Sequence, residues 1–298
     1  MRKLKERETP SQSIAFLGIM AGVCVVFSLI SALVPFFTIA AIFILPIASS
    51  LGTRLTKAKY SVPFLLATSA LMIGVSAFNI SETIFYLIPS VLCGGLYGIL
   101  MRAKAPTTYT ILGVSFLSLG LNYLAVPILE ALTGLNPIET TIMLLGLNSY
   151  ENVLIAFPAV LLALGLVQSV LSHFLIVFIH GKLDIEENKT SYLLDGIAAL
   201  IFGVIAMSAG LFVLELGYIA LVASLYFFAI TIYDIVLIKK KLLYILSIVF
   251  LIVGVFLIAF ISPLLIVRKA ILLGGYYPAI FGLLIILFAR KKNDTIAK

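Results

Sequence analysis

The sequence predicts an all-α protein, a polytopic bundle of about ten transmembrane helices. Its composition is the first reason, because 62% of the 298 residues are hydrophobic and 11% are charged. The mean hydropathy of +1.23 is the second. A soluble protein of this size needs a charged shell, which this composition does not supply. The third reason is that the charges stand in short clusters, and the apolar runs between them are long enough to cross a bilayer.

Ten apolar runs are candidate spans, since about 20 apolar residues are needed to cross about 30 Å of hydrocarbon. The first follows a basic leader and is too long for a signal peptide, so we expect an uncleaved helix. The second is short and follows Pro35 in a tight hairpin, and whether it crosses fully is left open. The predicted spans are 14–34, 36–51, 62–79, 83–101, 108–129, 153–179, 193–214, 217–238, 242–266 and 272–289.

The cations test this count, because Lys and Arg in short loops remain on the cytoplasmic side of a membrane. With the N-terminus inside, all but two of the 20 Lys and Arg residues fall in cytoplasmic segments, the exceptions being Arg268 and Lys269. The outer loops carry acids instead, either as a cation-selective entrance or because cations are excluded there. We expect a multi-pass protein of a bacterial cytoplasmic membrane with both termini in the cytoplasm.

Charge and motifs exclude several classes of function. The net charge of +7 is spread over helix-flanking groups, which favours anionic lipid headgroups over nucleic acid as the partner. Cys24 and Cys93 lie in apolar runs without a CxxC pair, so neither a disulfide framework nor a zinc site is predicted. His173 and His180 share a helix face but lack a third ligand. Because HExxH, GxSxG and Walker-type motifs are missing from the sequence, we predict no enzyme and no cofactor.

Polar side chains at membrane depth are costly, so they indicate where a site is built. In the fifth span Glu130 follows Tyr123 by seven residues, on nearly the same helix face. The predicted ligand-binding residues would line a cavity that opens outward, and they are Asn79, Glu82, Tyr86, Asn122, Tyr123, Glu130 and Gln168. The alternative is interhelical hydrogen bonding for Asn122 and Gln168 and interfacial placement for the others.

Further polar residues lie in the sixth and later spans. Ser169, Ser172 and His173 continue the polar stripe that Gln168 begins. Two acids, Asp195 and Asp234, lie near predicted cytoplasmic ends, where an acid can reach the interface and Asp234 can approach the lysines at 239–241. A proton relay is the alternative interpretation of these acids.

Small residues form a strip on the first helix. Ala15, Gly18 and Gly22 include a GxxxG spacing that permits close approach of another helix, and Gly94 and Gly98 repeat that spacing. Either pair could receive a partner helix, but packing within the chain is the preferred interpretation for both.

The longest internal polar stretch, 179–192, divides the chain into a six-span part, 1–180, and a four-span part, 181–298. The four later spans are nearly pure Leu, Ile, Val, Phe and Ala, and no repeat of fixed period is identified. The connection 131–152 fits either a re-entrant segment or a loop with a short surface helix.

The basic leader, the first helix beginning Ala-Phe-Leu-Gly-Ile-Met-Ala-Gly from Ala15, the proline-marked hairpin and six spans in about 180 residues together resemble a known family. They are similar to the substrate-binding S component of energy-coupling-factor (ECF) vitamin transporters. With its four additional spans, the chain is similar in layout to the longer YybS-like bacterial membrane proteins.

This resemblance implies a core that captures a vitamin or similar micronutrient from outside and works with a transmembrane coupling protein and two ATPases. The family docks through an Ala-x-x-x-Ala strip on its first helix, and Ala15, Gly18 and Gly22 stand near that pattern. The predicted function is therefore a solute-binding or transport subunit for a small-molecule ligand. The alternative is a structural or assembly membrane protein that keeps the core without the site.

Overall fold

A computed structural model describes residues 7, 9–34, 36–134, 136–145, 150–182, 191–259 and 266–296. Within these ranges the chain is helical, with short turns and no strand. Nine helices of the described residues are long and apolar enough to cross a membrane. The predicted fold class, an all-α polytopic membrane bundle, is therefore confirmed.

The chain divides into two compact units. Unit 1 comprises Met1–Val153 and Val160–Lys189, and unit 2 comprises Leu154–Ala159 and Thr190–Lys298. The boundary expected from the sequence, after residue 180, lies close to the division between Lys189 and Thr190. That unit 1 is an S-component-like core stays a prediction.

The helices of the first part of the chain form most of unit 1. A π-helical turn, Thr83–Leu87, joins α4 to α5, so that both belong to one span, Ala77–Arg102. The helices are α1 (Pro10–Leu33), α2 (Phe37–Arg54), α3 (Ser61–Val75), α4 (Ile80–Glu82), α5 (Ile88–Arg102), α6 (Thr107–Thr133), α7 (Pro137–Leu145) and α8 (Tyr150–Lys182).

The first two helices, α1 and α2, form the predicted hairpin, and their bounds give the length of the second span. Thr9 caps α1 by accepting a hydrogen bond from the backbone N–H of Gln12 at 3.3 Å, and Pro10 occupies the first turn, where its missing N–H costs nothing. Helix α2 has 18 residues rather than the 16 expected and continues to Arg54. Its length of about 27 Å approaches the thickness of the hydrocarbon core. Pro35, which marks the hairpin in the sequence, lies outside the described residues.

Basic segments meet at one end of unit 1. The guanidinium group of Arg102 donates a hydrogen bond from Nη1 to the carbonyl oxygen of Thr53 at 2.7 Å and another to that of Thr56. The backbone N–H of Arg7 donates to the carbonyl oxygen of Leu55 at 2.9 Å. Three segments that the sequence assigns to the cytoplasm therefore share one end. That this end faces the cytoplasm stays a prediction.

The connection after α6 contains a short helix. Gly134 ends α6 with a left-handed φ of 69°, a conformation that costs glycine little. Asn136 then accepts a hydrogen bond from the backbone N–H of Ile138 at 2.9 Å and so begins α7. Helix α7 has 9 residues, which at about 13 Å is too short to cross the membrane. Residues 146–149 of this connection lie outside the described residues.

Unit 2 contains four helices: α9 (Tyr192–Phe212), α10 (Leu214–Ile238), α11 (Lys241–Ala259) and α12 (Ile266–Ile296). Three of them contribute to the nine candidate spans, whereas the described apolar part of α11, Lys241–Leu257, is shorter. The predicted span 242–266 ends in residues outside the described ranges. A tenth crossing therefore stays a prediction.

Glycines spaced by seven residues join α9 to α12. Because seven residues make about two helical turns, Gly196, Gly203 and Gly210 lie on one face of α9. A Cβ atom on Gly203 would lie 2.5 Å from the carbonyl oxygen of Gly275, and one on Gly196 would lie 2.9 Å from that of Gly282. The two backbones thus approach as closely as glycine allows. The interpretation of these spans as nearly uniform apolar sequence missed this spacing.

The two GxxxG pairs differ in their surroundings. A Cβ atom on Gly98 would overlap Oγ1 of Thr53 and the carbonyl oxygen of Ser50, so Gly94 and Gly98 pack α5 against α2. A Cβ atom on Gly18 or Gly22 would meet no neighbouring atom within 4 Å, and Ala15 is exposed. The expectation of packing within the chain is confirmed for the α5 pair and is wrong for the α1 pair.

Candidate functional site

A small cavity lies inside unit 1, between α2, α5, α6 and α8. Its polar lining consists of Cys93, Tyr97, Ser118, Gln168, Ser169 and Ser172. The cavity volume is about 10 Å³, which is room for about one water molecule.

Small residues bring the helices around the cavity together. On α8, a Cβ atom at Gly165 would lie 3.2 Å from the carbonyl oxygen of Ser115 on α6. The hydroxyl group of Ser115 donates to the carbonyl oxygen of Gly165 at 3.3 Å, in addition to its bond with Ile111 of its own helix. Gly94 likewise permits the close approach of α5 to α2, because a Cβ atom there would overlap Pro46 and Ser49. Close backbones leave short polar side chains facing each other across the interface.

Two polar bridges connect α5 to α8. The amide of Gln168 donates a hydrogen bond from Nε2 to Oγ of Ser90 at 2.9 Å, and Ser90 in turn donates to the carbonyl oxygen of Tyr86 at 2.7 Å. Nearer the basic end, the phenol group of Tyr97 forms a hydrogen bond with Nδ1 of His173. Both bridges lie beside the cavity, so a bound solute would meet groups that already exchange hydrogen bonds.

Three buried polar atoms in or near the cavity make no hydrogen bond with the described residues, and they are Oγ of Ser118, Oγ of Ser172 and Oδ1 of Asn122. Oγ of Ser172, in a side chain 6% exposed, lines the cavity itself. Oδ1 of Asn122, in a side chain 9% exposed, lies one helical turn beyond Ser118 on α6. A buried polar atom without a partner costs about 1–3 kcal/mol. A ligand or a buried water that reaches these atoms would recover part of that free energy.

The structure separates the seven residues predicted to bind a ligand. Gln168 lines the cavity, and Asn122 is buried on α6, four residues beyond the lining residue Ser118. Oε2 of Glu82 accepts a hydrogen bond of 2.6 Å from Oγ1 of Thr38 on α2. The carbonyl oxygen of Asn79 accepts a hydrogen bond from Thr83 at 3.0 Å. These last two residues therefore organise the turn before α5 and do not line the cavity.

The three remaining residues are exposed on the surface of unit 1. Tyr123 and Glu130 share a helix face, as their spacing predicts, but that face points away from the bundle, with Tyr123 55% exposed. Oε2 of Glu130 accepts a hydrogen bond from Asn136 at 3.4 Å, and Tyr86 is 45% exposed. The structure does not bring these three to the cavity, and a role for them in ligand binding stays a prediction.

Tyr97, Ser118 and Cys93 were not among the residues predicted for the site. A signal for Tyr97 was present, because it lies deep in a span between Gly95 and Gly98, where a large polar side chain must find a partner. Ser118 precedes Asn122 by four residues and therefore shares its helix face. Spacing relative to Asn122 would have identified it.

The polar groups of the lining are neutral hydrogen-bonding groups, and they stand among the apolar residues Pro46, Val114 and Ile176. Hydroxyl, amide, phenol and thiol groups line the described part of the cavity, with the His173 imidazole bonded to its edge. Among the described residues, no group of three or more His, Cys, Asp and Glu side chains is placed to hold a metal ion. Such a lining suits the recognition of a small polar solute by shape and hydrogen bonds.

No protein-family model, curated protein or solved structure gives a significant match to this chain. The fold and the cavity define its class: an α-helical, multi-pass integral membrane protein with a small polar cavity in its N-terminal unit.

Proposed function

We propose that this protein is the solute-binding subunit of an uptake system, in which unit 1 binds a small micronutrient and partner ATPases supply the energy. The observation that carries the proposal is the polar cavity around Gln168, with the unpartnered hydroxyl group of Ser172 in its wall. Gln168 lies near the middle of the span Val153–Ile179, and polar groups at that depth are kept mainly where they serve a site.

Binding requires the cavity to open, because a micronutrient is larger than the water molecule that the cavity holds. The bridges from Gln168 to Ser90 and from Tyr97 to His173 hold α5 and α8 together. A ligand that replaces these bridges keeps their polar groups hydrogen-bonded, so opening leaves few buried groups unpaired. The ligand therefore favours the open state by its own hydrogen bonds.

Partner proteins are needed for energy, because the sequence contains no phosphate-binding loop of the Walker type. The open strip of Ala15, Gly18 and Gly22 on α1 supports a partner helix at this position. Small residues there permit a partner backbone to approach closely. A coupling protein with its ATPases is the partner that we propose.

Ligand retention tests the proposal. The full-length protein is purified gently from its native membrane and its bound small molecules are identified by native mass spectrometry. We expect a polar solute in the wild-type protein and at least about fivefold less in Gln168→Leu and in Ser172→Ala, since one lost hydrogen bond costs about 1 kcal/mol or more. Asn122→Ala should also weaken binding of the solute. Glu130→Ala tests whether the exposed face of α6 contributes to that binding.

Ser31→Ala is the matched control, because the buried hydroxyl group of Ser31 bonds only within α1, to the carbonyl oxygen of Phe27 at 2.8 Å. Its ligand content should equal that of the wild type. An empty wild-type protein, or equal ligand in all variants, would contradict solute binding. Copurified ATPase subunits that are lost in Gly18→Leu and Gly22→Leu would support the proposed energy source, and their absence from the wild type would contradict it.

A second candidate function is that of a structural or assembly membrane protein. The small volume of the cavity and the mutual hydrogen bonding of Gln168 with Ser90 favour it. This function is the better explanation if neither a solute nor an ATPase copurifies with the wild-type protein. It also predicts that Gln168→Leu restores the growth of a deletion strain as fully as the wild type does.

A further inference from the structure

Two acidic side chains of unit 2 are buried, and each has one carboxylate oxygen without a hydrogen-bonding partner among the described residues. Asp195 lies in the first turn of α9 and is 2% exposed, and Asp234 lies one turn before the end of α10 and is 4% exposed. Oδ1 of Asp195 and Oδ2 of Asp234 form no hydrogen bond with the described residues. Both side chains are therefore enclosed by protein, and whether they lie at the level of the membrane interface stays a prediction.

The two acids lie at a similar level of the helical hairpin formed by α9 and α10. Asp195 precedes the end of α9 at Phe212 by 17 residues, and Asp234 follows the start of α10 at Leu214 by 20 residues. With a rise of 1.5 Å per residue, these lengths are about 26 Å and about 30 Å, which differ by less than one helical turn. Asp195 and Asp234 also lie within electrostatic range of each other.

The neighbouring lysines do not neutralise this pair. Lys240 turns to α12, where Nζ donates to the carbonyl oxygen of Phe288 at 3.1 Å and lies 5.5 Å from the centre of its ring. Lys239 and Lys241 are exposed. The sequence-based expectation that Asp234 approaches these lysines is not met by the described side chains.

Among the described side chains, the remaining neighbours are apolar or neutral, and the side chains of α12 beyond Phe288 lie outside that part of the chain. On α12, the residues nearest to Gly196, which follows Asp195, are Gly282, Ile285 and Ile286. The nearby phenol group of Tyr244 on α11 donates to the carbonyl oxygen of Val236 at 3.1 Å, and Tyr192 packs into an apolar cluster. The cationic side chains described on α12 belong to its first turn, where Arg268 donates to the carbonyl oxygen of Leu211 at the opposite end of α9.

Two ionised carboxylates cannot remain together in such surroundings without a large cost. Burial of one unpaired charge costs several kcal/mol, and a second like charge nearby adds repulsion, so such a group binds a proton instead. A metal ion needs more oxygen ligands than two carboxylates supply. The nearest hydroxyl group on this face of α10, that of Thr231, already donates to the carbonyl oxygen of Phe228 at 2.8 Å.

We propose that Asp195 and Asp234 form a proton-binding carboxyl pair inside unit 2, which holds a proton at neutral pH. In the protonated pair, one carboxylic acid donates its O–H to the carboxylate of the other. Both buried oxygens then have a partner and the net charge falls from −2 to −1. The site is separate from the cavity of unit 1 and its existence does not depend on solute transport.

Infrared spectroscopy of the full-length protein in lipid nanodiscs tests this site. A protonated carboxyl group has a carbonyl stretching band that is separate from the amide bands and shifts in D2O. We expect this band in the wild type at neutral pH and its loss under alkaline titration. Asp195→Asn and Asp234→Asn should each remove the band or displace its titration midpoint by at least one pH unit, because about 1.4 kcal/mol corresponds to that shift.

Glu215→Gln is the control, since Glu215 is exposed in the first turn of α10 and should leave the band unchanged. A wild type without the band at neutral pH overturns the proposal without any variant. A band that persists unchanged in both Asn variants does so as well. If sodium in place of potassium abolishes the band at constant pH, the resident ion is sodium and the proton assignment is wrong.

Discussion

Gly98→Ala is expected to lower the thermal unfolding midpoint of the purified protein by about 5 °C or more, since overpacking a close helix interface costs about 2–3 kcal/mol. The added methyl group would overlap Oγ1 of Thr53 and the backbone of Ser50. Helix α5 must then move away from α2, which strains the hydrogen bond of 2.9 Å from Oγ1 of Thr53 to the carbonyl oxygen of Gly95. The same movement displaces one wall of the cavity.

Gly22→Ala is the matched control for Gly98→Ala. Both glycines lie in membrane-spanning helices, but no neighbouring atom lies within 4 Å of a Cβ at Gly22. Only the helix propensity of alanine acts there, which favours the helix by about 1 kcal/mol. The unfolding midpoint of Gly22→Ala should equal or exceed that of the wild type. Equal shifts in the two variants would contradict the packing of α5 on α2.

Gly203→Ala is expected to destabilise unit 2 by a similar amount, about 2–3 kcal/mol, measured by the same thermal unfolding. Its Cβ would lie 2.5 Å from the carbonyl oxygen of Gly275 and 2.7 Å from the backbone nitrogen of Ala279. Neither obstacle is a side chain that can rotate, so the whole of α12 must shift. Gly275→Ala should have the same effect, because its Cβ would lie 2.6 Å from the carbonyl oxygen of Gly203.

The double variant, Gly203→Ala with Gly275→Ala, tests whether the two glycines form one contact. Once one substitution has separated α9 from α12, the second meets less resistance, so the two losses of stability should sum to more than the loss in the double variant. Ser208→Ala, at an exposed position of α9, should leave the midpoint unchanged. Strict additivity, or a shift in Ser208→Ala as large as in Gly203→Ala, would contradict the glycine contact.

The fold class followed from the sequence because a bilayer leaves the backbone few choices. Each apolar run must satisfy its own hydrogen bonds as a helix, so length and hydropathy identify most spans. The basic clusters likewise predicted which loops meet, and the bonds of Arg7 to Leu55 and of Arg102 to Thr53 place those segments at one end of unit 1.

The site was harder to predict, because these helices are apolar on all sides and give little sign of which face turns inward. Gln168, which was singled out as a polar residue within an apolar span, lines the cavity. The seven-residue spacing of Tyr123 and Glu130 placed them correctly on one face, but it could not show that this face is exposed. That choice depends on the packing of α6 against α5 and α8, which no single helix encodes.

The buried acids and the glycine contacts likewise could not be predicted from the sequence of one helix alone. The spacing of Gly196, Gly203 and Gly210 was present in the sequence, but its partner on α12 follows only from the fold. The position of Asp234 near a helix end suggested access to water, whereas neighbouring helices bury it. Tertiary packing decided both outcomes.

A chain that crosses the membrane repeatedly, as proposed for this protein, keeps its basic loops on the cytoplasmic side. Single cysteines at exposed positions, Lys57→Cys, Glu139→Cys and Lys241→Cys, test this topology in a background where the buried Cys24 and Cys93 are replaced by alanine. A membrane-impermeant maleimide applied to intact cells should label Glu139→Cys, and Lys57→Cys and Lys241→Cys should react only after permeabilisation. Labelling of Lys241→Cys in intact cells would contradict the topology.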